Sequence, residues 1–328
     1  MDADAKREGP GAEPVKTDEK QAESGDAGEN PLIPNTRLRQ IYLAMVQARA
    51  LEKALPAAKR GRAIGMGAKT ARTLGMEACL VSTAADLGPD DLVSDALAGG
   101  AVEYLRGTAL REVLRPGKAE RSRKRRAGSA VAVCGAAGRL PGAADATERI
   151  WVALGAAAAL KVASARDRAN AKVEDTAEDG TASPQAGVVM VYTLPGEVTT
   201  VQWKKILKFT VDHELPMIFA FFSERGADVK TGRVSALAMG CGVPAILVDK
   251  DDAVAIYRVA QESIGHARIG GGAALIVCAA FVPQGAAGNA RVTEDAIAGL
   301  ERYLEQRGVA TRAWMEREAK AFAKRLGR

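Results

Sequence analysis

Histidine is nearly missing from this chain, with only His213 and His266 in 328 residues. That scarcity excludes a metal site or proton relay assembled from several imidazoles. Aromatic side chains are also sparse, at 4%, so the core has to be built from small aliphatic groups. Cysteine occurs only as Cys79, Cys134, Cys241 and Cys278, with no C-x-x-C pair. This spacing argues against a zinc ribbon or a disulfide frame and reads as buried thiols in a reducing compartment. No run approaches the roughly 18–20 uninterrupted apolar residues of a membrane span. The first residues lack the apolar core of a secretion signal. The expectation is a soluble, cytoplasmic chain.

What is present is ordinary in bulk, 47% apolar and 26% charged, and uneven in distribution. Residues 1–30 hold nine acidic and four basic side chains and almost no large apolar group. Such a segment cannot offset its ordering entropy and is expected to be a disordered acidic tail. With the whole chain at +6, the remainder stands at +11. Residues 31–328 are expected to form a single domain with polar loop insertions at 111–126 and 166–187. The first insertion carries eight basic residues against two acids.

Between these stretches, helix and strand signals alternate. Leu38, Ile41, Tyr42, Met45, Leu51 and Leu55 recur at helical spacing over 37–59, after an Asn35-Thr36 cap. An Ala-packed helix is expected over 145–165, and others over 197–213, 231–240, 252–268, 293–307 and 312–326. Short runs that are apolar throughout, Val188–Leu194, Met217–Phe222, Ala245–Val248 and Leu275–Phe281, read as strands covered on both faces. The pattern predicts an α/β fold with a doubly wound, mostly parallel sheet and helices on both faces. Ligands of such sheets bind beyond the carboxyl ends of the strands.

Local motifs carry little chemistry on their own. Gly65-Met66-Gly67-Ala68-Lys69-Thr70 lacks the Lys immediately after the final glycine that a phosphate loop needs, and reads as a loop. His213 and His266 lie late in helices, where the dipole favours a positive group. Gly270-Gly271-Gly272 reads as a helix C-cap. The Asp249–Asp252 cluster offers cation ligands but is better explained by Asp252 capping the next helix. The 118–126 run would attract phosphates by counterion release. It has no interleaved aromatics, so a solvated or partner-facing loop is the plainer reading.

The order of several motifs resembles the alpha subunit of thiamine-diphosphate-dependent 2-oxo acid dehydrogenases, the decarboxylating component of the pyruvate and branched-chain complexes. Leu38, Tyr42, Met45, Arg49 and Glu52 are similar to its opening helix. Gly75-Met76-Glu77-Ala78 is close to its Gly-Gln-Glu-Ala, and Leu87-Gly88-Pro89-Asp90-Asp91 to its Leu-x-Pro-x-Asp turn. Gly128-Ser129, Leu154-Gly155, Leu215-Pro216, Gly242-Val243-Pro244, Val248-Asp249 and Asp252-Ala253 follow in the family's order, so the resemblance runs from residue 32 to about 310. It implies a thiamine-diphosphate-binding fold, with thiamine diphosphate and Mg²⁺ as cofactors and a beta-type subunit as partner.

The departures fall on the functional positions. The family's Gly-Asp-Gly corresponds to Leu194-Pro195-Gly196, and its metal-ligating Asn to Ser223. Its Tyr-Arg-Asp-His corresponds to Leu97-Ala98-Gly99-Gly100, and its Gly-Gly-Ser-Met-His to Ala127-Gly128-Ser129-Ala130-Val131. Its histidine-bearing loop corresponds to Pro283-Gln284-Gly285-Ala286-Ala287-Gly288. Mg²⁺ needs anionic oxygen, and Leu194, Pro195, Gly196 and Ser223 supply none. Cofactor binding is expected to be weak or lost, with no catalytic residue and no metal ligand assigned. Glu197 and Glu224, beside the vacated positions, are the remaining carboxylates able to hold a cation. The expectation is a non-catalytic, structural or regulatory paralogue acting with a beta-type subunit or by self-association. The alternatives are an active oxidoreductase subunit passing an acyl group to lipoamide, and nucleic-acid binding through the basic loop.

Overall fold

Five strands pair in parallel in the order β1-β2-β3-β5-β4: β1 (Leu92–Ser94), β2 (Val189–Thr193), β3 (Met217–Ser223), β4 (Ala245–Asp249) and β5 (Ala274–Ala279). This is a computed structural model, and it describes residues 32–54, 73–95, 100–114, 138–141, 143, 145–174, 186–223, 229–280 and 295–327. The helices are α1 (Asn35–Ala54), α2 (Glu77–Ala84), α3 (Ala101–Leu105), α4 (Leu110–Leu114), α5 (Ala146–Glu174), α6 (Thr200–Asp212), α7 (Val229–Gly240), α8 (Ala253–Arg268), α9 (Ala296–Gln306) and α10 (Arg312–Leu326). The α/β class and the parallel sheet follow the sequence pattern.

Alternate residues of the strands feed two separate cores. Met190, Tyr192, Ile218, Ala220, Phe222, Ile276 and Cys278 face α1, α2, α8, α9 and α10. Val189, Val191, Phe219, Phe221, Leu275 and Val277 face α5, α6 and α7. Strands buried on both faces need to be apolar throughout, which is why β2, β3 and β5 lack polar alternation.

Each parallel pairing is reached by a helical crossover. The steps that run β1 to β2, β2 to β3 and β3 to β4 pass through α5, α6 and α7 on one face. The return from β4 to β5 passes through α8 on the other. Adjacent β3 and β5 are followed by α7 on one face and α9 on the other, so the switch point lies between their carboxyl ends.

Opposite ends of the chain meet on the α1 face. Arg39 Nε donates to the Val309 carbonyl at 2.7 Å, and Tyr42 donates to Glu301 at 2.9 Å. The Tyr42 ring packs against Trp314, with centroids 6.1 Å apart.

Several expectations need correction. The 166–187 insertion begins inside α5, which runs on to Glu174. Residues 166–174 are rich in Ala, Arg and Lys and contain no Gly or Pro, so nothing stops the helix there. The 111–126 insertion likewise starts within α4. Asn35 and Thr36 lie inside the first turn of α1 rather than ahead of it, and the Pro34 carbonyl accepts from Arg37 and Leu38. Cys79 and Cys278 are buried as expected, whereas Cys241 is only half-buried. The 1–30 tail, Cys134, the 65–70 loop and the 118–126 basic run lie outside the described residues.

The expected caps on α8 are present. Asp252 accepts from Val254 and Ala255 at 3.1 and 2.9 Å. Gly270, at φ +87°, closes the other end with its N–H on the Ala267 carbonyl. Among the described residues no helix is long and apolar enough to cross a membrane.

Candidate functional site

The carboxyl edge of the sheet carries two polar groupings. At the ends of β1 and β2, Arg149 reaches in from the first turn of α5. Its Nη1 donates to the Ser94 carbonyl at 3.2 Å and to Ser94 Oγ at 3.0 Å. Its Nη2 meets Glu197 Oε2 at 3.5 Å, with the two side chains 5% and 4% exposed. Beyond β2, Leu194-Pro195-Gly196 forms a turn in which Gly196 adopts φ +85°. The turn lets Glu197 fold back, so that its carboxylate accepts the Leu194 N–H at 2.9 Å.

Burial governs both members of this pair. It raises the Glu197 carboxyl above its ordinary range, against the lowering pull of the Leu194 N–H and Arg149. It lowers the Arg149 guanidinium, against the attraction of Glu197 and Asp95. The neighbouring Thr193 hydroxyl is buried and makes no hydrogen bond.

At the switch point itself lies a cavity of about 310 Å³ lined by Leu74, Gly75, Met76, Cys79, Phe222, Ser223, Lys250 and Cys278. Helix α2 enters this crevice by its N-terminus, with no side chain capping it. The Cys79 thiol donates to the Lys250 carbonyl at 3.3 Å and lies against Cys278. Burial pushes the Cys79 thiol well up, and the adjacent Cys278 adds to the effect. Lys250 Nζ pairs with Asp251 at 2.6 Å.

Four of the six positions singled out in the sequence can be placed. Thr193 pairs with Phe221, so Leu194, Pro195 and Gly196 leave a strand end next to the one that carries Ser223. Gly128 and Ser129 lie outside the described residues, as do Glu224, Leu97–Gly99 and 283–288. Glu197 is engaged by Leu194 and Arg149, which removes it from the carboxylates available to a cation. His213 caps α6, its ring stacked on Phe209 at 4.1 Å, and His266 lies in the last turn of α8. Both lie where the helix-end reading puts them.

No protein-family model matches the chain, and no curated protein matches it.

Two features carry no motif in the sequence. Arg149 stands within the core stripe of α5, beside Ala146, Ile150, Ala153, Leu154 and Ala157. A charged residue at an apolar-stripe position was the signal that could have revealed it. The sulfur groups of Cys79 and Cys278 come together through the fold alone, and no spacing announces them.

Proposed function

We propose that this chain is a non-catalytic, structural or regulatory protein, a degenerate relative of the thiamine-diphosphate-dependent alpha subunit that it resembles. The observation that carries the reading is the Arg149–Glu197 pair. In the resembled family this strand end presents an aspartate to Mg²⁺. Here the side-chain carboxylate beside Leu194-Pro195-Gly196 is neutralised from within by a guanidinium. Mg²⁺ demands near-octahedral oxygen coordination and dehydrates reluctantly. Among the described residues, the ends of β2 and β3 offer the Ser223 hydroxyl and a carboxylate already bonded to an N–H and an arginine. That donor set does not fit Mg-diphosphate, and an internal cation beside it repels a second one. The chain then acts by association, with a beta-type subunit or a second copy, rather than by chemistry.

The test is a titration of the full chain with thiamine diphosphate, with and without Mg²⁺, followed by heat of binding and by melting temperature. The expected result is no Mg²⁺-dependent response. A saturable, Mg²⁺-dependent affinity in the micromolar range overturns the proposal.

A further inference from the structure

We propose that Met76, Cys79 and Cys278 form a sulfur site for one soft, thiophilic metal ion, Cu(I) by preference, in the cavity at the switch point. All three line the same cavity of about 310 Å³. Met76 is the residue just before α2 and Cys79 the third residue of the helix, and both line the cavity where that helix begins. Cys278 comes from β5, on the sheet face turned toward α2. The Cys79 and Cys278 thiols already lie against each other.

The donor set selects the ion. Thiolate and thioether sulfur favour Cu(I). Structural zinc takes four ligands, usually including imidazole or further thiolates, and no histidine lines this cavity. On binding, two S–H bonds break and two S–Cu bonds form. Both protons leave to solvent, the copper stays Cu(I), and no electron moves. The thioether of Met76 completes the shell as a neutral ligand.

Cys79 lies in the first turn of α2, where the helix dipole favours an anion, a place it shares with Glu77. The Lys250 ammonium, paired with Asp251 at 2.6 Å, borders the same cavity. Without the ion the Cys79 thiol stays protonated, donating to the Lys250 carbonyl at 3.3 Å. That bond is given up when copper takes the proton's place.

The test is an anaerobic titration of the full chain with Cu(I) held by bicinchoninate, read from the chelator's absorbance. The expected result is one equivalent transferred per chain. Outer-shell changes alone cost about 10–100-fold in metal affinity, so Cys79→Ser and Cys278→Ser, which remove direct ligands, should each weaken binding by more than about 100-fold and Met76→Leu by about tenfold. Removing the other two thiols together, Cys134→Ser with Cys241→Ser, should leave affinity unchanged. Wild-type protein that fails to compete with the chelator overturns the proposal, as do Cys79→Ser and Cys278→Ser variants that bind as tightly as wild type. Should the serine variants fail to fold, copper X-ray absorption of the wild-type complex decides. A shell of sulfur alone supports the site, and nitrogen or oxygen ligands overturn it.

Discussion

Arg149 and Glu197 form an ion pair at 3.5 Å in which neither side chain is more than 5% exposed. Removing one member of a buried pair leaves an uncompensated charge, at a cost of about 3–5 kcal/mol. Glu197→Ala should therefore lower the unfolding free energy by that amount in urea melts. Replacing both, Arg149→Met with Glu197→Leu, should recover most of the loss, because apolar substitutes of similar volume are often neutral or better. A double variant no more stable than Glu197→Ala contradicts this account.

Asp91 is a second buried charge with a different duty. Its side chain is fully buried; Oδ2 accepts from the Gly88 N–H at 2.6 Å and from Arg268 at 2.7 Å, and Oδ1 from the Val188 N–H at 2.8 Å. It ties the turn before β1 to the chain entering β2 and to the end of α8. Asp91→Asn keeps the shape but loses the charge and replaces one acceptor with a donor. The expected loss is about 1.5–3 kcal/mol, the range for hydrogen bonds to charged groups, measured by chemical denaturation.

Acid should loosen the junction of α1, α2 and α9. Arg49 bridges Glu77 at 2.9 Å and Asp295 at 2.5 Å. The hydrogen bond from Arg49 holds the Asp295 carboxyl below its ordinary value of 3.8. A carboxyl depressed in the folded state contributes stability above its unfolded value, and that contribution is lost as pH falls through the folded one. Asp295→Asn keeps a good N-cap for α9, so the comparison isolates the charge. The difference in urea midpoint between wild type and variant should be constant above about pH 5 and shrink progressively below pH 4. A difference that persists unchanged into acid contradicts the assignment.

Two glycines should respond differently to the same change. At Gly138, with φ +69°, an added Cβ would lie 2.5 Å from the Asp91 carbonyl oxygen and 2.6 Å from Arg106 Nη2. Backbone cannot swing aside, so Gly138→Ala should cost more than about 1 kcal/mol from conformation alone. At Gly271 the obstruction is the His266 ring, 2.2 Å from the added Cβ. An imidazole can rotate away, so Gly271→Ala should be the milder substitution in thermal melts.

The long elements were legible because their sequences declare a period. Helices α6, α8, α9 and α10 carry apolar stripes and begin at the side-chain caps Thr199, Asp252, Asp295 and Thr311. The strands that feed both cores read as unbroken apolar runs. The missed elements offer no such signal. Helix α2, Glu77–Ala84, is buried on every side, so it has no polar face to mark a period. Strand β1 is three residues long. Of the candidate site, Leu194–Gly196 and Ser223 were expected at strand carboxyl ends from the apolar runs before them, and the pairing of β2 with β3 makes those ends neighbours. Arg149 was not foreseen: it stands on the apolar stripe of α5, but its partner Glu197 is 48 residues away and no motif links the two. The meeting of Cys79 and Cys278 was beyond sequence reasoning, since it comes only from α2 packing on the sheet face that carries Cys278.

The contact between α1 and α9 has a consequence for synthesis on the ribosome. Tyr42 and its partner Glu301 are separated by 259 positions. At roughly 5–20 residues per second, Tyr42 is made about 10–50 s before Glu301 exists. During that interval the apolar stripe of Leu38, Ile41, Tyr42 and Met45 waits without its final cover. Nascent chains of this protein are therefore open to chaperone capture through α1 until the C-terminal helices emerge.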